Sequence, residues 1–359
     1  YPFQFFTQAS IRMSDDPELL EAMHEAGFNH VFCGIESPVK ESLKFMGAQK
    51  NLQGDRSLLD KVKTLQSYGF EVSAGFIVGL DADPDDVAEQ MIDFIQEAAI
   101  PVAMVGILGV LRDTPDYRRF EKAGRLVRGI KYSGDSGLFR KELSFVPKVE
   151  PDELFRRHQQ IVSTIHSAEY FFPRARTLVK RLGRHAMRPR QVGRPEIIGA
   201  LRSFWIQGVK SSYKREYWKL VGGTLLKNPR RFPIAMRLAI QGHHMVTVTQ
   251  QSLRVAKLQT FCEEALTVFE RLGKAKDAMM PIPARAGEML ASVAGRLSPA
   301  KSVTAAKNNA QVLLSAATAQ ASKLKAEYRS QANHQLREFR GKLENLVNEY
   351  ATETSGFDN

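Results

Sequence analysis

The residues best placed to do chemistry lie in one stretch, GFEVSAGFIVGLDADPDD from Gly69 to Asp86. Gly75, Ile77 and Gly79 close an apolar segment there as Gly-x-Ile-x-Gly. Glycine lets backbone approach a ligand where any side chain would crowd it. The same glycines could simply ease packing and turning, and the motif alone does not decide. Four carboxylates follow, Asp81, Asp83, Asp85 and Asp86. They could gather a metal ion, but capping the next helix is the simpler reading, since negative charge is favourable at a helix N-terminus. The eight histidines offer no i,i+4 ligand pair near a strand end, and His243 and His244, being adjacent, diverge on a helix. The two cysteines, Cys33 and Cys262, cannot build a disulfide framework or a multi-cysteine metal site, and both read as buried, inert thiols.

The elements that would position these groups alternate. Apolar segments at Phe3 to Ala9, His30 to Ile35, Glu71 to Val78 and Val102 to Val110 are each succeeded by an amphipathic segment, at Pro17 to Ala26, Asp55 to Tyr68, Pro84 to Ala98 and Pro115 to Ala123. That alternation is the signature of βα units, with helices crossing over between parallel strands. Asp16 is placed to cap the first helix, with Pro17 at its first position. Gly27 and Gly69 each end a helix just before an aromatic residue and suit a left-handed C-terminal cap. The strand Glu71 to Val78, apolar along its whole length, calls for cover on both faces, and ligands belong at its carboxyl end. Periodicity does not separate an open doubly wound sheet from an arc of a barrel. A polar stretch around Tyr132-Ser133-Gly134-Asp135-Ser136-Gly137 ends this region. The chain beyond it reads as helix, with a break at Met280-Pro281-Ile282-Pro283 and a last long helix from about Ala300 to Tyr350. The seam of that last helix fits a helix folding back on its own chain better than a dimeric coiled coil.

Charge is distributed unevenly. The net charge of +12 combines residues 1–100, with 7 basic and 17 acidic side chains, and a segment from Phe172 to Arg237 with 17 basic and 2 acidic. Aromatic residues, among them Phe204, Trp205, Tyr217 and Trp218, are interleaved with those cations. The combination fits an anionic membrane surface or an acidic partner within the same chain, nucleic acid, or a helical domain that packs its rings inside and solvates its charges; of the two external partners the membrane is preferred. No apolar run is long enough to span a bilayer, and no leader is recognisable, so a cytoplasmic protein, peripheral to the membrane if bound to it, is expected. The abrupt opening on Phe3-Gln4-Phe5-Phe6 suggests a piece of a longer protein.

The order Phe6-Thr7-Gln8-Ala9-Ser10, Asp16-Pro17-Glu18-Leu19-Leu20, Ala26-Gly27-Phe28, Gly34-Ile35-Glu36-Ser37 and Gly75-Phe76-Ile77-Val78-Gly79 resembles the later part of the radical S-adenosylmethionine core. More narrowly, it resembles the cobalamin-binding branch that includes the hopanoid methylases. The likeness continues through Ile100 to Gly106 and Phe145-Val146-Pro147-Lys148 into the basic helices, over roughly residues 1–250. It implies a partial barrel with adenosylmethionine across its strand ends. Glu36 would accept hydrogen bonds from the ribose hydroxyls, Gly75, Ile77 and Gly79 would flank the adenine, and Gln8 would stand where such proteins carry Glu. Ala82 stands where a longer form of the glycine motif has an acid. A 4Fe-4S cluster needs three closely spaced cysteines, which this chain lacks, so cluster and cobalamin are expected only in a full-length protein whose missing N-terminal part would carry them.

The fold expected is therefore α/β, the C-terminal half of a partial (β/α) barrel followed by an all-helical region. Its parts would be 1–138, a barrel fragment; 139–250, a basic helical domain; and 251–359, a helical tail. The activity implied for the family is methyl transfer to, or rearrangement of, an unactivated carbon, with this chain alone inactive and no catalytic residue assigned. The alternative is a non-catalytic protein presenting its basic helices to membrane or nucleic acid.

Overall fold

The computed structural model describes residues 3–127, 143–183, 193–274, 288–297 and 302–355. The polar stretch 132–137, the boundary at 138/139 and the break at 280–283 lie outside them. Four strands, β1 (Phe5–Gln8), β2 (Phe28–Glu36), β3 (Glu71–Val78) and β4 (Ala103–Ile107), form one sheet in the order β1-β2-β3-β4 with every pairing parallel. Between them lie α1 (Pro17–Ala26), the short α2 (Lys40–Phe45) and α3 (Gln49–Leu52), α4 (Leu58–Ser67) and α5 (Val87–Glu97). The expected cap signals are in place. Asp16 accepts the Leu19 amide at 2.9 Å, and Gly27 and Gly69 take the left-handed φ of 103° and 93°.

One sheet face is closed. Val31, Cys33, Ile35, Val72, Ala74, Phe76, Val78, Ala103 and Val105 are buried there with Leu20, Val62, Leu65, Met91 and Ile95 from α1, α4 and α5. The other face is covered only toward the start of the strands. There His30 bonds Ser73 at 2.7 Å, and the carboxylate of buried Glu71 is gripped by Arg237. Farther along, Phe32, Gly34, Gly75, Ile77 and Gly106 are only half-buried, and Phe6, Gln8 and Met104 are exposed. The expectation that β3 is covered on both faces thus holds for its first half.

After β4 come α6 (Pro115–Lys122), α7 (Pro151–Ile165), α8 (Ala168–Arg181), α9 (Arg194–Ser203), a π-helical turn (Phe204–Lys210), α10 (Lys214–Lys227) and the long α11 (Phe232–Lys274). Residues 1–249 form one unit by their contacts. Several cations of the basic segment hold that unit together. Arg174 is fully buried and donates to the Ile165 carbonyl at 2.8 Å, while Arg181 donates to the Glu97 carbonyl at 3.0 Å and Arg176 pairs with Glu216 at 2.7 Å. Part of the charge excess thus meets backbone carbonyls and acids of the same chain.

The second unit, 250–359, includes α12 (Glu288–Ala294), α13 (Val303–Ala321) and α14 (Ala326–Ser355), with Phe261, Leu313, Ala317, Phe339 and Leu343 in its core. The single last helix expected from the sequence is two. The chain turns at 322–325, where Leu324 is buried and its amide bonds the Ala321 carbonyl, so α14 folds back against α13.

Candidate functional site

The carboxyl end of β2 turns on Glu36, a non-glycine residue with φ of +67°. The Ser37 amide donates to the Ile35 carbonyl at 2.8 Å across it, which makes a three-residue γ-turn of the strained, φ-positive kind. Asn51 fixes the turn by donating to the Gly34 and Ile35 carbonyls at 3.1 and 2.8 Å. The side chain then folds back along the open face. A β-carbon on Gly34 would sit 2.4 Å from Glu36 Oε1, so any larger residue there would displace this carboxylate from its present place. Burial pushes the Glu36 carboxyl above its usual range, and nearby Lys50 partly opposes the shift. Among the described residues no donor hydrogen-bonds this carboxylate.

Gly34 pairs across the sheet with Gly75, and Gly75 with Met104. A β-carbon at Gly75 would press on the Phe32 ring at 3.2 Å. Gln8 is opposite Phe32, and Ile77 is two residues beyond Gly75 on the same face, opposite Gly106. The structure therefore brings Gln8, Glu36, Gly75 and Ile77 to one partly open, glycine-lined face. Sequence reasoning missed Lys50 and Asn51, which arrive from α3 and carry no motif.

Gly79 is placed differently. It has φ of +96°, and a β-carbon there would meet Leu154 of α7 at 2.9 Å. Its amide and that of Leu80 donate to Asp83 Oδ2 at 2.8 and 2.9 Å, and Ser42 donates to Asp83 Oδ1 at 2.6 Å. The turn accounts for this glycine without a ligand. Beside it lies a cavity of about 30 Å³ lined by Gly79, Leu80, Asp83, Leu154 and Arg157, room for a water or two.

The other acids of the cluster are also engaged. Asp81 takes a bidentate pair from Arg125 at 2.6 and 2.8 Å, which holds its carboxyl below the usual range, and Asp85 pairs with Arg157 at 3.0 Å. Asp86 sits at the N-cap of α5 but accepts from the Gln90 side chain instead of an amide. Helix capping, the simpler reading from sequence, thus gives way to ion pairs and a turn clamp. Among the described residues no three His, Cys, Asp or Glu side chains gather as for a metal ion. Cys33 and Cys262 are buried, and burial pushes both thiols up to about 12. His243 packs its ring nitrogen on the Tyr213 hydroxyl while His244 is exposed, so the adjacent pair does diverge.

Residues 114–257 match the family model described as a domain of unknown function, DUF4070. The chain is 27% identical over 250 residues to an uncharacterized methyltransferase of Synechocystis, covering 68% of this chain and 45% of that protein. It is 26% identical over 266 residues to a hopanoid C-2 methylase of Rhodopseudomonas palustris, covering 71% and 47%. The chain spans about half the length of these curated relatives. No solved structure matches. The likeness to hopanoid methylases read from the residues is borne out, as is the continuation of that likeness into the basic helices.

Proposed function

We propose, for a chain that carries a DUF4070 region of the kind found in cobalamin-binding radical S-adenosylmethionine proteins, that its sheet is the second half of a partial β/α barrel and that the glycine-lined face is the adenosyl side of a methylating active site. Sequential strand order supports the barrel. With right-handed crossovers an unreversed order places the intervening helices on one face, whereas a doubly wound sheet reverses order at a switch point. The half-open second face is then the inside of the barrel.

The observation that carries the site is Glu36. A residue held at positive φ costs of order 1–3 kcal/mol and persists where the surroundings over-determine it, commonly at binding and active sites. Here Asn51 fixes the backbone and Gly34 makes room for the side chain. The result is a half-buried carboxylate, short of donors, lying over Gly34 and next to Gly75, which the Phe32 ring borders. Ribose hydroxyls would supply the missing donors, and an adenine ring could pack against Phe32 and Ile77 at the edge of Gly75. Gln8, uncharged, could still hydrogen-bond from the neighbouring strand. Bound there, adenosylmethionine would present its nucleoside to this face and bring the chemistry of its sulfonium centre to the reaction. The chain's own part is to orient the nucleoside through Glu36, with Lys50 holding charge on that carboxylate.

The thiols do not fit a 4Fe-4S cluster. Cys33 points into the closed core, and both sulfurs resist ionisation, whereas the cluster takes thiolates. The amino acid end of adenosylmethionine would find no chelator on these residues, so binding to the 359-residue chain should be weak, millimolar at best, about −4 kcal/mol, and the chain alone should not turn over. Calorimetric titration tests the assignment. Weak binding abolished by Glu36→Ala is expected, whereas micromolar binding that survives the substitution would refute it.

A further inference from the structure

The helix formed by α9 and the π-turn after it is built inside out. Its buried side is polar or bare: Ser203 and Gln207 are 5% and 1% exposed, bonded to each other at 2.9 Å, and Gly208 lies against Trp218 and Tyr217. Its outward side is apolar. Ile197, Ile198 and Leu201 on α9 continue into Phe204, Trp205 and Ile206, with Leu201 65% and Trp205 54% exposed. In a wider π-helical turn adjacent residues spread less around the axis than in an α-helix, which brings three consecutive apolar side chains to one surface. Trp218 Nε1 donates to the Gly208 carbonyl at 3.0 Å and fastens the turn to α10. Contiguous exposed apolar surface on this scale marks an interaction site.

We infer that this face, Ile197 to Ile206 with its cationic rim, docks into the headgroup region of an anionic lipid bilayer. Charge argues for that occupant. From Arg194 to Arg215 five basic residues stand against one acid, Glu196, and all five are exposed. Glu196 is turned to the Gly193 amide at 3.0 Å. Lys210 lies over the Trp205 ring at 5.1 Å, which places a cation beside the aromatic residue that would sit at the interface. An amphipathic helix with tryptophan and leucine on one side and lysine or arginine at its border is the form that lies in a bilayer surface. A second copy of the chain would bring like charge against like charge. Nucleic acid would leave the aliphatic side chains Ile197, Ile198, Leu201 and Ile206 with neither phosphate nor base to engage. Among the described residues no helix is long and apolar enough to cross a membrane, so the contact is peripheral. This inference narrows the basic segment to one helix, and it does not rest on the adenosyl site.

The test is sedimentation of the 359-residue chain with vesicles of neutral phosphatidylcholine and with vesicles containing phosphatidylglycerol. Binding to the anionic vesicles, weakened by salt, is expected, with little to the neutral ones. Arg202→Gln with Lys210→Gln should weaken binding about thirtyfold, at about 1 kcal/mol per cation near the surface. Leu201→Asp with Trp205→Asp should abolish it with an unchanged far-ultraviolet circular dichroism spectrum, since both side chains are exposed. As the chain has two tryptophans, the blue shift of emission expected on anionic vesicles should be present in the wild type and largely lost in Trp205→Phe, which keeps the Trp218 bond to Gly208. Anionic vesicles that do not bind, or that bind the Leu201/Trp205 variant equally well, overturn the inference. So does self-association, or oligonucleotide binding, that the same variant removes.

Discussion

Replacing Glu36 separates strain from chemistry in a way that a single variant could not. Glycine at position 36 accepts φ of +67° freely, and alanine does not. Alanine and glycine both remove the half-buried carboxylate, so the difference between them reads the backbone alone. The left-handed region costs a non-glycine residue about 1–2 kcal/mol, against which glycine loses about 0.5–1 kcal/mol more chain entropy on folding. Glu36→Gly should therefore be more stable than Glu36→Ala by about 1 kcal/mol, or roughly 2–4 °C in Tm for a unit of this size. Glutamine at the same position removes the charge only. Burial raises the Glu36 carboxyl above its ordinary value of 4.5, so folding favours its protonated form. Wild-type stability should then fall relative to Glu36→Gln as pH rises from about 4.5 through the raised folded-state value, and the two should run parallel below about 4.5. Thermal unfolding of the four proteins at several pH values checks both claims. Equal stability of the glycine and alanine variants would mean the turn is unstrained. A glycine variant less stable than wild type by more than about 1 kcal/mol would make Glu36 a structural anchor, and the case for a binding role would lose its basis.

Buried charge gives two further outcomes. Arg237→Ala should cost about 1–2 kcal/mol in urea unfolding, because it leaves Glu71, 3% exposed, without its cation while the half-exposed Arg237 side chain is already screened by water; adding Glu71→Gln should recover part of the loss, and no recovery would show that the pair is not coupled. His166 is held down to about 4 by burial and by nearby Arg174, so folding favours its neutral form; stability should be full above pH 6.5 and decline by about 3 kcal/mol as pH falls toward 4, and a His166→Asn profile as steep as wild type would assign that decline elsewhere.

The layered part of the fold is legible in the sequence because each element there carries its own signal. Glu71–Val78 and Pro17–Ala26 stand where apolar runs, Asp16 and Pro17 place them. Helical spacing also shows at Ile197, Ile198 and Leu201, but spacing reports that a stripe exists and not which way it faces; here it faces outward. Charge counting has the opposite failing. It registers Arg174 and Arg237 as surplus cations, since backbone carbonyls and one distant carboxylate leave no trace in a local window. At the candidate site, Gly75 is named from the glycine motif and Glu36 only through the family resemblance. The γ-turn at Glu36, and its fixing by Asn51 from a different helix, cannot be read from the sequence, because glutamate has no preference for positive φ and tertiary contacts impose it.

The outer rim of β1 carries a consequence for handling the protein. Among the described residues this strand is the edge of the order β1-β2-β3-β4, and Phe3, Phe5 and Phe6 are 67%, 43% and 60% exposed. Aromatic side chains next to free amides and carbonyls form a template to which another extended segment can add. Solubility of the isolated chain should therefore be limited by strand addition at this rim and fall with concentration, and a lysine at Phe6, which would place charge on the edge, is the economical way to keep it in solution.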